Sequence, residues 1–203
     1  MNKFVCTVGL LIGVISTTLA QVALVPKAGV NLARVAFDQA GKNNTRTRDA
    51  FVGGIGVLIG SPYRFFSLQP ELLFTQKGYQ GSKDSRLTVN YLEIPVMGRF
   101  SLGSNSTRGY LGVGPSYGYA IGGKNRGADG KESDLNFGDG KGQVKRSDWG
   151  VQFGLGFIQR LGYGSLQLEG RYGLGLSNID PAESHNRVIS FTVGYAIPLS
   201  RRD

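Results

Sequence analysis

The chain predicts an all-β fold, an eight-stranded antiparallel transmembrane up-and-down β-barrel, on three observations. Apolar and polar side chains alternate residue by residue through eight segments, the period of a strand with two unlike faces. The connections between those segments alternate long and short. The apolar parities hold almost no charge, as lipid demands, since Arg or Lys on a lipid face costs roughly 2–4 kcal/mol at the bilayer midplane.

The clearest segment runs from Phe66 to Lys77. Five of its six even positions (Phe66, Leu68, Pro70, Leu72 and Phe74) are apolar, and of the odd positions only Leu73 is. A helix would scatter these residues around its axis, and Pro70 would break it. At about 3.3 Å per residue the segment spans roughly 40 Å, enough to cross a bilayer at a tilt. Its polar face, with Ser67, Gln69, Glu71, Thr75 and Lys77, suits either the water around a soluble barrel or the polar interior of a membrane barrel. This strand alone therefore leaves the solvent undecided.

The start of the chain bears on that choice. Met1-Asn2-Lys3 is a short basic start, Phe4 to Ile15 is mostly apolar, and Ser16 to Ala20 ends on small residues. This is the pattern of a cleavable secretory leader over 1–20, with a barrel domain over 21–203. A transmembrane anchor would need about twenty apolar residues. The single cysteine, Cys6, lies inside the apolar run, so the mature chain is expected to lack cysteine and disulfides. Glycine, at 32 of 203 residues, is about double the average usage of roughly 7% and falls inside the alternating segments, as suits a narrow barrel crowded with longer side chains. The net charge of +9 is dispersed among acids, which argues against nucleic acid and for mild attraction to anionic lipid head groups.

Taken in order, Leu24 to Arg34 is the first strand, with Ala28, Val30 and Leu32 against Lys27, Gly29 and Asn31. A polar stretch over residues 37–48 is a loop, and Ala50 to Gly60 alternates again. Ser61 to Arg64, with Pro62, is a tight turn into the segment from Phe66. Gly78 to Arg86 is a polar loop, Leu87 to Phe100 the fourth strand and Ser101 to Thr107 a short turn. Arg108 to Ile121 is the fifth strand, followed by the longest loop, Gly122 to Lys145. Ser147 to Arg160 and Ser165 to Leu176 are strands flanking a brief Leu161 to Gly164 turn. Ser177 to Asn186 is a polar loop, and Arg187 to Leu199 is the eighth strand. An even strand count puts both termini and the three short turns at one end and the four long loops at the other, the outer-membrane plan of periplasmic turns and external loops. A soluble barrel has no reason to segregate loop lengths in this way, and its outer face would carry charge.

Three stretches carry a family resemblance: Leu68-Gln-Pro-Glu-Leu-Leu-Phe-Thr-Gln-Lys-Gly78, Tyr91-Leu-Glu-Ile-Pro-Val96 and Gly112-Val-Gly-Pro-Ser-Tyr117. With them the chain resembles the PorT-like outer-membrane β-barrel proteins of Bacteroidetes-type bacteria. That resemblance covers the whole mature chain and implies a barrel of the OmpA or OmpX shape, in a family most of whose members have no assigned activity. The family takes its name from a component of a secretion and gliding apparatus, but a shared barrel does not establish a shared role. The chain departs from the aromatic ending common to outer-membrane barrels, finishing Ile197-Pro-Leu-Ser-Arg-Arg-Asp203, so Phe191 or Tyr195 is the candidate insertion signal.

Glu71, Lys77, Glu93, Arg99, Arg160, Glu169 and Arg171 stand on polar parities and are expected to project into the lumen. An eight-stranded barrel has room inside for little beyond side chains, so these groups are expected to pair and plug it, in preference to lining an ion path. His185, the only histidine, lies near Asp180, Glu183 and Ser184, but adjacency in a loop is not a catalytic triad. The Asp129 to Asp134 stretch and Asp139 lack the ligand spacing of a calcium loop, and no cofactor or metal is expected. Pro70, Pro95, Pro115 and Pro198 sit in strands that lipid gives no substitute hydrogen-bond partner, and bulges are one way to accommodate them. The sequence therefore favours a plugged outer-membrane scaffold, structural, adhesive or interacting with the envelope through its external loops, and not an enzyme. The expected partners are outer-membrane lipid and lipopolysaccharide, the barrel-insertion machinery, and an envelope or extracellular protein at the loops. A narrow pore or a part of a secretion or gliding apparatus is the alternative, and a hydrolase using His185 ranks behind both.

Overall fold

The computed structural model describes residues 21–37, 48–80, 85–127, 129–138, 145–177 and 184–199; the leader expected over 1–20 lies outside them. Eight long strands form the wall: β1 (Val22–Phe37), β2 (Arg48–Ile59), β3 (Phe66–Gln80), β4 (Arg86–Gly103), β5 (Thr107–Arg126), β7 (Ser147–Leu161), β8 (Gly164–Gly175) and β9 (Ser184–Pro198). The short β6 (Glu132–Asp134) lies in the longest loop. Each wall strand pairs antiparallel with its neighbours in the chain, and β1 pairs with β9, for example Val30 with Phe191, closing the barrel. The first strand and the last are therefore adjacent, and no edge of the wall is left open.

The alternation reads out as expected. On β3, Ser67, Gln69, Glu71, Leu73, Thr75 and Lys77 are buried, and Leu72 on the other parity is exposed, as are Phe153 and Leu155 on β7 and Phe191 and Val193 on β9. An exposed belt of Leu, Ile, Val and aromatic side chains around a polar interior is the inverse of a soluble fold, and it suits a lipid solvent.

Several boundaries differ from the sequence reading. Within the expected loop from Gly78 to Arg86, residues 78–80 and Arg86 are strand, since β3 continues to Gln80 and pairs Gly78 with Thr88 and Gln80 with Arg86, and residues 81–84 lie outside the described residues. Gly78 has φ +146°, and a Cβ there would lie 2.1 Å from the Leu87 carbonyl oxygen, so the glycine that resembled a loop start allows close strand contact. β5 likewise runs to Arg126 and pairs with β6, Lys124 opposite Asp134. Above the lipid both faces meet water, so the hydrophobic alternation fades while the backbone ladder continues. His185 is a strand residue opposite Ala36, not a loop residue; Asp180 and Glu183, and Asp139 of the longest loop, lie outside the described residues.

The prolines are accommodated by gaps in the ladder. Pro70 keeps its pairing with Val96 on β4, but the β2–β3 ladder passes from Gly56–Glu71 to Ile59–Leu68 in unchanged register, leaving out two pairs. Pro95 pairs with Ser116 on β5 while the β3–β4 ladder skips it. Pro115 pairs with Val151 on β7 while the β4–β5 ladder skips it. Each ring lacks the N–H for one neighbour only, so the loss is confined to one side of its strand. The register shift between β4 and β5 falls elsewhere, at Asn90 and Tyr91, and Pro198 retains its pairing with Ala23.

Candidate functional site

Among the described residues the interior is the one place that concentrates charge away from water. Its buried ionisable side chains are Lys27, Lys77, Arg99 and Arg171 against Glu71, Glu93, Asp148 and Glu169. Strand alternation places all eight inside, and their signs balance. Such a set is stable only if each charge is paired and its remaining hydrogen-bonding groups are met.

At the centre Arg171 Nη1 donates to Glu71 Oε2 at 2.9 Å and Nη2 to Glu71 Oε1 at 3.1 Å, a two-pronged contact, and Nη2 also reaches Glu169 Oε2 at 2.8 Å. Lys27 Nζ lies 2.8 Å from both Glu71 Oε1 and Glu169 Oε2. These four residues form a closed square of alternating sign. β3 and β8 are four strands apart either way around the wall, so the Glu71 to Arg171 contact spans the full width of the barrel. Side chains from diametrically opposed strands meet there, which an open channel would not allow.

The square connects to both ends. Toward the loops, Arg171 Nη1 donates to Gln152 Oε1 at 2.9 Å and Gln152 Nε2 to Glu93 Oε1 at 3.0 Å. Lys77 Nζ then bridges Glu93 Oε1 and Asp148 Oδ2, each at 3.1 Å, and lies 5.1 Å from the Tyr91 ring centre. Around this second cluster a cavity leaves about 30 Å³ open to the centre of a water molecule, between Lys77, Asp148, Ser190 and Thr192, enough for about two waters. Toward the turns, Gln69 Nε2 donates to Glu71 Oε1 at 2.7 Å. Arg99 Nη1 donates to Gln69 Oε1 and, at 3.2 Å, to Gln167 Oε1, and its guanidinium lies 3.6 Å from the Tyr110 ring centre. Glycines opposite make room for the bulk: a Cβ on Gly156 would lie 2.1 Å from Cζ of Tyr110.

Six of the seven side chains expected in the interior are there and within one connected network: Glu71, Lys77, Glu93, Arg99, Glu169 and Arg171. Arg160 is the exception. It stands on the inward parity at the turn end of β7, but it is exposed, and its guanidinium lies 5.3 Å from the Tyr63 ring centre with no carboxylate of the described residues paired to it. The filled section ends before this level, and the wall there supplies no acid. Sequence reasoning missed Lys27, Asp148 and the bridging amides Gln69, Gln152 and Gln167. All five share the inward parity, so a rule admitting every polar residue on that face would have found them. In the longest loop Glu132 pairs with Lys124 at 3.4 Å and Asp129 Oδ1 accepts from the Lys131 amide at 3.2 Å. Among the described residues no cluster of His, Cys, Asp or Glu can hold a metal ion.

A closed antiparallel barrel with an apolar belt outside and a neutral, ion-paired filling inside is an integral outer-membrane barrel. The chain belongs to the outer membrane protein beta-barrel domain family, whose profile matches residues 17–180, and its location is the outer membrane. Similar solved structures include Ail, the attachment invasion locus protein of Yersinia pestis, in complex with the heparin analogue sucrose octasulfate, at 13% identity over 89% of this chain and 100% of that one, TM-score 0.48. Neisserial surface protein A is 13% identical over 84% and 95%, TM-score 0.49. AlkL in DMPC bilayers is 16% identical over 93% and 96%, TM-score 0.48. At these identities and scores the likeness says nothing about ligand or activity. No curated protein is significantly similar in sequence.

Proposed function

We propose that the protein is a closed scaffold of the outer membrane that acts through its external loops, as a structural, adhesive or envelope-interaction protein, and not through its lumen or as an enzyme. The observation that carries this reading is the Glu71 to Arg171 contact between opposed strands, because a lumen filled at mid-depth by paired side chains has no path for solute. The same observation opposes the narrow-pore reading. The PorT-like resemblance of the Leu68 to Gly78 and Tyr91 to Val96 stretches leaves membership of a secretion or gliding apparatus compatible with a closed barrel, since a scaffold can serve a larger assembly. The external face would be supplied largely by the ribbon of β4, β5 and β6, against which Leu135 and Phe137 of the same loop pack beside Val89, Tyr91 and Ala120.

Planar-bilayer recordings test the closed lumen. The wild-type protein should show conductance at background; steady single-channel steps would overturn the scaffold reading and make transport the function. A photo-cross-linker at exposed Asn136 then tests the loops, with adducts to a cell-envelope component expected from intact cells. Adducts arising only from the turn end would place the interaction on the wrong side.

A further inference from the structure

Charge is distributed unequally along the barrel axis. Beyond the Glu71 and Glu169 level toward the turns, residues 21–26, 57–70, 94–117, 149–168 and 193–199 hold Arg64, Arg99, Arg108 and Arg160 and not one Asp or Glu. In the outer-membrane plan this end faces the periplasm. The interior network uses its four carboxylates on Lys27, Lys77 and Arg171, which leaves Arg99 without one.

The donors at this end are also underused. Arg99 Nε and Nη2, Arg108 Nε, Gln167 Nε2 and the hydroxyls of Ser101 and Tyr110 are buried with no hydrogen-bond partner in the protein. They form one cluster: Arg99 stacks on Tyr110 and bonds Gln167, and Arg108 Nη2 donates to the Ser101 carbonyl at 2.9 Å. The β2–β3 turn lies across their periplasmic side. Tyr63 accepts from Arg108 Nη1 at its carbonyl, 2.8 Å away, and its hydroxyl meets Ser165 Oγ on the opposite strand at 2.8 Å. Outside Tyr63 a cavity with about 210 Å³ open to water-sized solutes is walled by Tyr63, Tyr163, Arg160, Ser165 and Gln21. Arg160 is its only charged wall among the described residues.

We propose that this periplasmic vestibule is an anion site, taking a phosphate or carboxylate group against the Arg160 guanidinium and the Tyr63–Ser165 hydroxyl pair. That pair shares one hydrogen bond and keeps a second hydroxyl hydrogen to donate. Arg108 and Arg99 lie behind Tyr63 in surroundings of low dielectric, where their uncompensated charge reaches further than it would in water. Among the described residues a cation would meet the Arg160 guanidinium, with Arg99 and Arg108 behind Tyr63, and no acid, and a neutral solute would leave the charge unanswered. The anionic group can belong to a soluble periplasmic solute or to a phospholipid head group, and the chemistry at Arg160 is the same.

The test uses the full mature chain refolded in a neutral sugar-headgroup detergent, followed by amide NMR while inorganic phosphate replaces chloride at constant ionic strength. Saturable shifts are expected at Gly60–Phe65 and Gly162–Ser165, with the β5–β6 ribbon unmoved. Arg160→Gln, an exposed change whose folding is checked by heat-modifiable gel migration, should weaken binding roughly tenfold, as loss of a charge-assisted contact implies. Arg64→Gln, outside the cavity wall, should leave it within about twofold, the small effect of a screened surface charge. The same shifts in phosphatidylglycerol nanodiscs without phosphate, and not in phosphatidylcholine ones, would assign the site to a head group; their absence there with phosphate binding retained would assign it to a soluble anion. Shifts that never saturate, or an Arg160→Gln curve matching the wild type, would overturn the proposal.

Discussion

Replacing Glu71 by Leu isolates the pairing that fills the barrel. Glu71 accepts four hydrogen bonds, from Lys27 at 2.8 Å, Arg171 at 2.9 and 3.1 Å and Gln69 at 2.7 Å. Its loss leaves four buried cations facing three carboxylates, with Lys27 and Arg171 both dependent on Glu169. Breaking a buried pair from one side costs about 3–5 kcal/mol, whereas exchanging both partners for apolar groups is often neutral. The double variant Glu71→Leu/Arg171→Leu restores the balance and keeps the Lys27–Glu169 pair, so it should be the more stable of the two, with a coupling at the upper end of the usual ~0.5–3 kcal/mol range. Urea unfolding from phospholipid vesicles reads this through Trp149, the single tryptophan, which is 57% exposed on the outer face and leaves lipid when the barrel unfolds. A Glu71→Leu midpoint equal to that of the wild type would mean that water already screens the site. Additive losses in the double variant would refute the pairing itself.

Other outcomes follow from the same geometry. The mature protein should fractionate with the outer membrane and run faster on gels unheated than boiled; recovery as a soluble periplasmic monomer would contradict the lipid-facing belt. Trypsin added to intact cells should cut at Lys141 or Lys145 before Arg64, and the reverse order would invert the topology. Gly156→Val should displace the Tyr110 ring that supports Arg99 and cost about 1–3 kcal/mol by overpacking, measured by the same urea unfolding. An unchanged midpoint would show that the lumen has slack.

The wall was legible because a two-residue period is imposed by backbone geometry, and lipid outside with polar filling inside sharpens it: β7 and β8 could be placed to within one residue at each end. Strand ends above the bilayer were not, since Lys124 and Arg126 of β5 meet water on a ladder that no longer sorts side chains by polarity. For the interior, parity shows which residues point inward but not how far each reaches across, so the contact between Glu71 and Arg171 needed the strand order around the closed wall. Arg160 was misplaced for the related reason that parity carries no information about depth. The prolines in the family-like stretches were seen but not explained, because the sequence does not say which neighbour each strand turns its N–H toward.

Those prolines and the central square also bear on how the wall is held together. The β2–β3, β3–β4 and β4–β5 seams each lack two consecutive residue pairs around Pro70, Pro95 and Pro115, as the β1–β9 seam does at Pro26, so three adjoining seams form an arc that is weakly stitched at mid-depth. Glu71 stands on that arc and Arg171 on the wall facing it. Their contact therefore ties the sparsely paired arc to the opposite wall through the lumen, a cross-link that the backbone ladder does not supply at that level.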